Sequence, residues 1–400
     1  MNSFEGIRPT RAARLARAAL CAVLLVLLPL APAPAAHADT IRERQWALDV
    51  VGAREAWETT RGAGITVAVL DTGVDASHPD LAGAVQGGRD LVGIGAEPGD
   101  EEWARHGTAM AGIIAGRGHG PDRGDGVIGI APEAEILPVR VLLEEEDPAR
   151  ERAQEAEGPS ILATGIRWAV DQGADVINLS LGDDSASAHP DPQEDAAVRY
   201  ALSRGVVVVA SAGNGGKDGD PVSYPAAYPG VIAVTAVTSE GVRADFSTRR
   251  WYATVAAPGK DVVTADPDRR YYQGWGTSAA AAVVSGTAAL VRSAHPELSP
   301  AQIKRLLADT ANGTPAGGRS DALGTGVVDA AGALEAAAAL EPEAQRPAPR
   351  GYGSEYFGPG PAPESGFRPL WAAFGAGFAG LVLVGCAVGL YLGGRPPRRP

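Results

Sequence analysis

The sequence predicts an α/β fold in three layers, with a mostly parallel central sheet flanked by helices, plus a C-terminal transmembrane helix. Short β-branched apolar runs, such as 65–70 and 206–211, alternate with longer segments rich in small residues, which favours a buried parallel sheet. A long uncharged stretch near the carboxyl end favours the membrane helix. The chain has 400 residues, 45% of them hydrophobic, and so has room for one large domain and appendages.

The amino end has the pattern of a secretion signal. A basic region precedes a short apolar core at 18–30, and small residues at 36–38 supply a cleavage site. The basic residues are Arg8, Arg11, Arg14 and Arg17. We therefore predict that 1–38 is a signal peptide and that the mature chain begins near Asp39.

The main domain is predicted to span 39–340. Its first strand, 65–70, places Asp71 at its carboxyl end, the edge where active groups of open α/β sheets collect. Two helices of small residues are predicted, one around His106 and one after Ser278. The further predicted strands are 135–142, 174–179 and 206–211, and the further helices are 161–172 and 301–310, the last opened by a capping box at 299–302.

Three short motifs in this domain contain the three side chains of a proton-transfer group: a carboxylate, an imidazole and a hydroxyl. They are Asp-Thr-Gly at 71–73, His-Gly-Thr at 106–108 and Gly-Thr-Ser at 276–278. A serine hydroxyl is a weak nucleophile at neutral pH and needs an imidazole to take its proton and a carboxylate to orient that imidazole. Asp71, His106 and Ser278 are therefore the candidate catalytic residues.

The order Asp, His, Ser along the chain is that of subtilisin, and 45–334 resembles the subtilisin-like (S8) serine protease family. The resemblance implies a subtilisin-like three-layer fold and endopeptidase activity through an acyl-enzyme. It also implies that Asn214, in Ala-Gly-Asn-Gly at 212–215, donates its side-chain amide to the oxyanion. The backbone N–H of Ser278 would be the second donor.

Two other interpretations stay open at this point. Asp-Thr-Gly also marks aspartic proteases, but a single copy would require a homodimer and would leave His106 and Ser278 unexplained. Alternatively, departures from the family pattern could leave the site inactive. Arg105 stands where the family usually has glycine, and Ala279 and Ala282 stand where Met or Phe and then Pro are usual.

The substrate-binding residues are predicted from the same resemblance. Ser180, Leu181 and Gly182 resemble the edge segment that pairs with an extended peptide, although they could simply end a strand. The pocket floor is predicted to include Ser211, Ala212 and Gly213 and the region 223–225. Because no buried carboxylate is apparent there, we expect a small or apolar residue before the cleaved bond.

The composition of the chain limits which cofactors and partners we expect. The formal net charge of −13 argues against nucleic-acid binding by a basic surface. Both cysteines, Cys21 and Cys386, lie in the terminal apolar segments, so we expect no disulfide and no zinc site in the main domain. We predict no cofactor and no metal, with Ca²⁺ left open because Asp80 matches a calcium-binding carboxylate of some subtilases. The nearby glycine-rich segment 116–126 matches the remaining calcium ligands poorly.

The carboxyl end is predicted to hold the protein in a membrane. A linker rich in Pro and Gly, 341–369, leads to an apolar helix at 370–394 and a basic tail at 395–400. The positive charge of the tail predicts that it is cytoplasmic and the main domain extracytoplasmic. The helix carries a glycine every fourth residue, at Gly385, Gly389 and Gly393, which either admits a second helix or reflects composition alone.

The order of segments resembles that of mycosins, the membrane-anchored subtilases of type VII secretion systems. About thirty residues separate the predicted cleavage site from Asp71, too few for a folded propeptide. Mycosins usually carry disulfides that this chain lacks. The resemblance implies a protease that processes exported proteins. The alternatives are a structural subunit of the secretion complex with secondary or lost activity, and a general degradative cell-surface subtilase.

An acidic insertion at 143–160 separates a predicted strand from a predicted helix. Its carboxylates are Glu144, Glu145, Glu146, Asp147, Glu151, Glu155 and Glu157. Such a segment is most simply a solvated surface loop. It could instead cover the cleft, filter substrates or bind a partner.

Overall fold

The computed structural model describes residues 40–343, apart from 155–157 and 186. The predicted signal peptide, the linker beyond residue 343, the membrane helix at 370–394 and the tail lie outside the described residues. Over the part of the chain that is described, no helix is both long enough and apolar enough to cross a bilayer.

Among the described residues, seven strands form one central sheet in which all six neighbouring pairs run parallel. Its spatial order is β2-β5-β1-β6-β7-β8-β9. In chain order the strands are β1 Thr66–Asp71, β2 Arg89–Asp90, β3 Arg117–His119, β4 Asp125–Ile128, β5 Glu135–Arg140, β6 Val176–Leu179, β7 Val207–Ser211, β8 Ile232–Val237, β9 Ala253–Pro258, β10 Lys260–Ala265 and β11 Tyr271–Trp275. The remaining four form two antiparallel hairpins, β3–β4 and β10–β11.

Helices cover both faces of the sheet. They are α1 Thr40–Glu43, α2 Trp46–Val50, α3 Ala53–Ala56, α4 Arg105–Ala115, α5 Arg150–Gln154, α6 Ile161–Asp171, α7 Pro192–Ser203, α8 Thr277–Ala294, α9 Pro300–Asp309 and α10 Ala330–Ala337. Alternate residues of β1 point to opposite faces, so Val67 and Val69 pack with α4 and α8. Ala68 and Leu70 pack with α6 and α7 in a second core. The predicted three-layer α/β architecture is confirmed.

Two predicted strand starts, 174 and 206, precede the observed starts by two residues and by one residue, for a common reason. The backbone N–H of Ala174 donates to Ala169 O at 3.1 Å, and that of Val206 donates to Ala201 O at 3.0 Å. Both residues are therefore still bound to the end of the preceding helix, and β6 and β7 begin after them. The capping box of α9 is confirmed, since Ser299 and Gln302 bind each other's backbone N–H reciprocally.

Candidate active site

Asp71 and His106 form a hydrogen-bonded pair at the carboxyl end of β1. His106 Nδ1 lies 2.8 Å from Asp71 Oδ1 and 3.0 Å from Oδ2. The carboxylate is fully buried, whereas the imidazole side chain keeps 37% of its surface exposed. The backbone N–H of Thr72 also donates to Asp71 Oδ1, at 2.7 Å. The carboxylate therefore orients the ring while the other side of the imidazole stays accessible.

The pair can form because α4 approaches the end of β1 very closely. A Cβ at Gly107 would lie 1.9 Å from Gly73 O, a distance that no side chain tolerates. The backbone N–H of Gly107 donates to Thr72 Oγ1 at 3.1 Å. The His-Gly-Thr motif therefore needs glycine at 107, because the two backbones approach too closely for any side chain.

The surroundings of His106 favour its protonated form. Burial lowers the pKa of the imidazole, but the charge of Asp71, its hydrogen bond and the charge of Glu144 more than offset this and raise the pKa to about 9. Neutral imidazole, the form that accepts a proton, therefore becomes more abundant as the pH rises.

Ser278 lies in the first turn of α8, directly after Gly276 and Thr277. Gly276 has φ +145°, a conformation that favours glycine, and this turn leads from β11 into the helix. Ser278 Oγ donates to Ser180 O at 3.0 Å, and within the described residues no hydrogen bond joins it to the ring of His106. Both side chains line the same cleft, and rotation about χ1 of Ser278 changes the partner of its hydroxyl.

The side-chain nitrogen of Asn214 and the backbone nitrogen of Ser278 both lie near Gly276. A Cβ at Gly276 would lie 3.6 Å from Ser278 N and 3.8 Å from Asn214 Nδ2. Asn214 is held with its Nδ2 on that side because its Oδ1 accepts from Thr277 N and Thr277 Oγ1, both at 3.0 Å. Two N–H groups thus lie close to the Ser278 side chain, where an oxyanion would need donors.

A buried polar network underlies Ser278 that the sequence does not reveal. Ser180 Oγ donates to Ser278 O at 2.9 Å and accepts from Asn178 Nδ2 at 2.9 Å. Asn178 Oδ1 in turn accepts from Ser285 Oγ at 2.9 Å, and Ser285 lies about two helical turns after Ser278 in α8. Since Asn178 and Ser285 are fully buried, this network ties β6 to α8 at the candidate nucleophile.

One open cleft of about 730 Å³ collects most of the predicted site residues. Besides His106, Asn214 and Ser278, it is lined by Ser180, Leu181, Gly182, Ser211 and Gly213, and by Ser223 and Tyr224. Ala212 is not part of this lining, because its side chain is 1% exposed and turned into the protein. Its carbonyl accepts from the hydroxyl of Tyr252 at 3.0 Å.

The cleft is more acidic than the sequence suggested. Its lining includes the carboxylates of Glu144, Glu145, Asp183, Asp184, Asp191 and Glu194. All six residues keep part of their surface exposed, and partial burial raises the pKa of Glu144 and of Glu194. The acidic insertion also contributes Leu143, Arg150 and Gln154, so it borders the cleft.

The departures from the family pattern leave the His106 ring accessible. Arg105 Nε lies 3.0 Å from Asp266 Oδ2, and its side chain borders a different cavity from the one that His106 lines. Ala279 and Ala282 are buried in the core beneath α8.

The neighbours of Asp80 do not fit calcium. Asp80 Oδ1 lies 2.6 Å from His119 Nδ1, while Oδ2 accepts from the Tyr271 hydroxyl and the Val127 N–H, both at 2.8 Å. These partners are hydrogen-bond donors, whereas calcium requires six to eight oxygen ligands. Across the described residues, no three His, Cys, Asp or Glu side chains are placed to hold a metal ion.

Comparisons with known proteins agree with this geometry. Residues 62–332 match the family model described as the subtilase family. M-protease of Shouchella clausii is 39% identical over 269 residues, which are 67% of this chain and 64% of that protein. The major intracellular serine protease of Bacillus subtilis is 38% identical over 264 residues, 64% of this chain and 77% of that protein.

Solved structures of mycosins are similar as well. MycP1 from Mycobacterium smegmatis is 31% identical with a TM-score of 0.63, covering 76% of this chain and 86% of that one. MycP3 protease from the type VII (ESX-3) secretion system is 34% identical with a TM-score of 0.60, covering 72% and 87%. With a family model that matches more than half of its length, this chain belongs to the subtilase family of serine proteases.

Proposed function

We propose that this protein is a serine endopeptidase in which Asp71, His106 and Ser278 act as a catalytic triad. The observation that carries the proposal is the hydrogen-bonded Asp71–His106 pair, which opens into the cleft that Ser278 lines. The N–H groups of Asn214 and Ser278 support it further, because both lie near the nucleophile, where they can stabilise an oxyanion.

The reaction follows from these positions. His106 Nε2 takes the proton of the Ser278 hydroxyl as Oγ forms a bond to the peptide carbonyl carbon. The carbonyl oxygen becomes negative and is stabilised by Asn214 Nδ2 and the Ser278 N–H. His106 then gives the proton to the leaving amine, the C–N bond breaks, and an acyl-enzyme remains. Water, deprotonated by His106, hydrolyses the ester and restores Ser278, while Asp71 stabilises the imidazolium in both steps.

The test is the Ser278→Ala variant, with Ser239→Ala as its matched control at an exposed turn. We expect Ser278→Ala to lose peptide hydrolysis and fluorophosphonate labelling while its thermal unfolding stays cooperative. Ser239→Ala should retain both activities. Labelling that persists in Ser278→Ala would contradict the assignment of the nucleophile.

We further propose that the protease is anchored to the cell membrane with its catalytic domain extracytoplasmic, and that it processes exported proteins in type VII secretion. The predicted signal peptide, the apolar segment 370–394 and the basic tail support the anchoring. The similarity to MycP3, whose structure is described as coming from a type VII (ESX-3) system, supports the role in secretion. Protease protection of the main domain in intact cells and in opened vesicles tests the orientation.

A structural role in a secretion complex is the main alternative, supported by the similarity to MycP3 and by the glycine at every fourth residue of 385–393. Complementation of a deletion strain with Ser278→Ala separates the two roles. A protease loses processing of exported proteins, whereas a structural subunit restores export without the hydroxyl. Broad hydrolysis of casein would instead favour a general degradative subtilase.

A further inference from the structure

A carboxylate of the acidic insertion binds the start of the helix that carries His106. Glu144 Oε1 accepts from the backbone N–H of His106 at 2.8 Å. The Thr72 hydroxyl is hydrogen-bonded to the same carboxylate and accepts from the Gly107 N–H. Ala104, the residue before α4, provides no side-chain acceptor, so Glu144 and Thr72 satisfy N–H groups that are otherwise left open at a helix start.

We propose that Glu144 is a positioning residue for catalysis, which fixes the start of the His106 helix and places a second negative charge beside the imidazole. The proposal rests on the proposed serine protease function. It assigns a role in the chemistry to a segment that composition alone describes as a solvated loop.

The insertion is anchored well enough to hold Glu144 in place. Asp147 Oδ2 accepts from the Ala96 N–H, and its Oδ1 accepts from the Ala149 N–H, both at 2.8 Å. Asp147 is buried, and the guanidinium of Arg150 donates to the carbonyl of Leu143. The segment around Glu144 is therefore held by hydrogen bonds within the insertion and by one to Ala96.

The charge of Glu144 affects the pKa of His106. Asp71 faces the ring from β1 and Glu144 from the insertion, and both raise the pKa of His106 against the effect of burial. Arg105, the neighbouring cation on α4, is paired with Asp266 instead. Burial in turn raises the pKa of Glu144 itself. Removal of the Glu144 charge should therefore make the imidazole easier to deprotonate.

The experiment compares Glu144→Gln, Glu144→Ala and Glu146→Gln in the full-length protein. Glutamine keeps an acceptor for the His106 N–H but removes the charge, and Glu146 is an exposed carboxylate of the same insertion. For Glu144→Gln we expect the acid limb of kcat/KM to move to lower pH by roughly 0.5–1 unit, with kcat nearly kept. Glu144→Ala should show the shift and also lose kcat by about tenfold, because the ring is less well positioned. Glu146→Gln should match the wild type.

A second measurement does not depend on turnover. The His106 imidazole is titrated by NMR in the Ser278→Ala protein with and without Glu144→Gln, and we expect a lower midpoint with the glutamine. Equal midpoints would overturn the proposal even if Glu144→Ala fails to fold. A wild-type protein that titrates as expected but neither hydrolyses peptides nor reacts with fluorophosphonate would contradict the proposed function and leave the effect of Glu144 standing.

Discussion

Residues 40–343, as far as the structure describes them, contain two histidine–aspartate pairs with nearly the same geometry and different surroundings. His106 Nδ1 lies 2.8 Å from Asp71, and His119 Nδ1 lies 2.6 Å from Asp80. Both carboxylates are fully buried, and the imidazole side chains are 37% and 40% exposed. A histidine bound to a buried aspartate is therefore not by itself a catalytic site.

The difference lies in what surrounds each pair. The first opens into a cleft that is lined by a serine at a helix start and has two N–H groups close to that serine. In the second, the remaining aspartate oxygen is bound by the Tyr271 hydroxyl and the Val127 N–H, so the pair ties the β10–β11 hairpin to the segment after β1. We therefore expect the same interaction to serve catalysis at Asp71 and stability at Asp80.

Substitution of each aspartate by asparagine gives the largest expected contrast. Asp71→Asn should lower kcat by about 10⁴-fold, the magnitude known for this change in a chymotrypsin-like triad, because the ring is no longer held in the reactive tautomer. Asp80→Asn should keep kcat but lower the free energy of unfolding by about 1–3 kcal/mol. Peptide hydrolysis and urea denaturation of both variants measure this. Equal losses of activity would remove the distinction between the pairs.

The proposed oxyanion donors lie near the Asp71–His106 pair, and the Asn214→Ala variant tests one of them. We expect kcat to fall by about 10²–10³-fold, the magnitude known for the oxyanion asparagine of subtilisin, with little change in KM. Steady-state kinetics on a peptide substrate give both constants. A rise in KM at constant kcat would mean that Asn214 binds substrate and does not stabilise the transition state.

The pH dependence sharpens the contrast further. Since the pKa of His106 is raised to about 9, kcat/KM should rise with pH to a midpoint near that value. The stability that the pair contributes is full below the ordinary pKa of 6.5 and is lost as the pH rises through about 9. Denaturation at pH 6 and pH 10 should therefore show a smaller difference for Asp71→Asn than for the wild type. An acid limb at the same pH in both proteins would show that Asp71 does not set the pKa.

The smallest expected effect distinguishes two neighbouring tyrosines. Tyr271→Phe removes the hydroxyl bound to buried Asp80 and should cost about 1 kcal/mol of unfolding free energy with activity unchanged. Tyr272→Phe removes a hydroxyl bound to Asp268 at 2.6 Å on an exposed side chain, and should cost less. Equal costs in denaturation curves would indicate that Asp80 adds nothing to stability through this contact.

Much of the fold could be predicted from the sequence because it depends on local patterns. The β-branched run at 65–70 requires a buried strand, and the small residues after Ser278 suit a helix packed closely on the sheet. The carboxyl ends of parallel strands meet at one edge, which brought Asp71 near the other motifs. The hairpins β3–β4 and β10–β11 had no comparable signal.

The features that the sequence did not reveal depend on contacts between distant residues. His119 lies 39 positions from Asp80 and Tyr271 lies 191 positions away, so nothing local indicates that this carboxylate is already bound. Glu144 reaches the His106 N–H across 38 positions, and its acidic neighbours suggested only a solvated loop. The burial of Ala212 likewise depends on a distant residue, since its backbone carbonyl accepts from the Tyr252 hydroxyl.

Mass spectrometric mapping of a fluorophosphonate adduct tests the central claim most directly. In the full-length protein we expect a single modified serine, Ser278, and loss of the adduct when Asp71 is replaced by asparagine. An adduct on another serine, or undiminished modification of Ser278 in Asp71→Asn, would contradict the claim that these side chains act together.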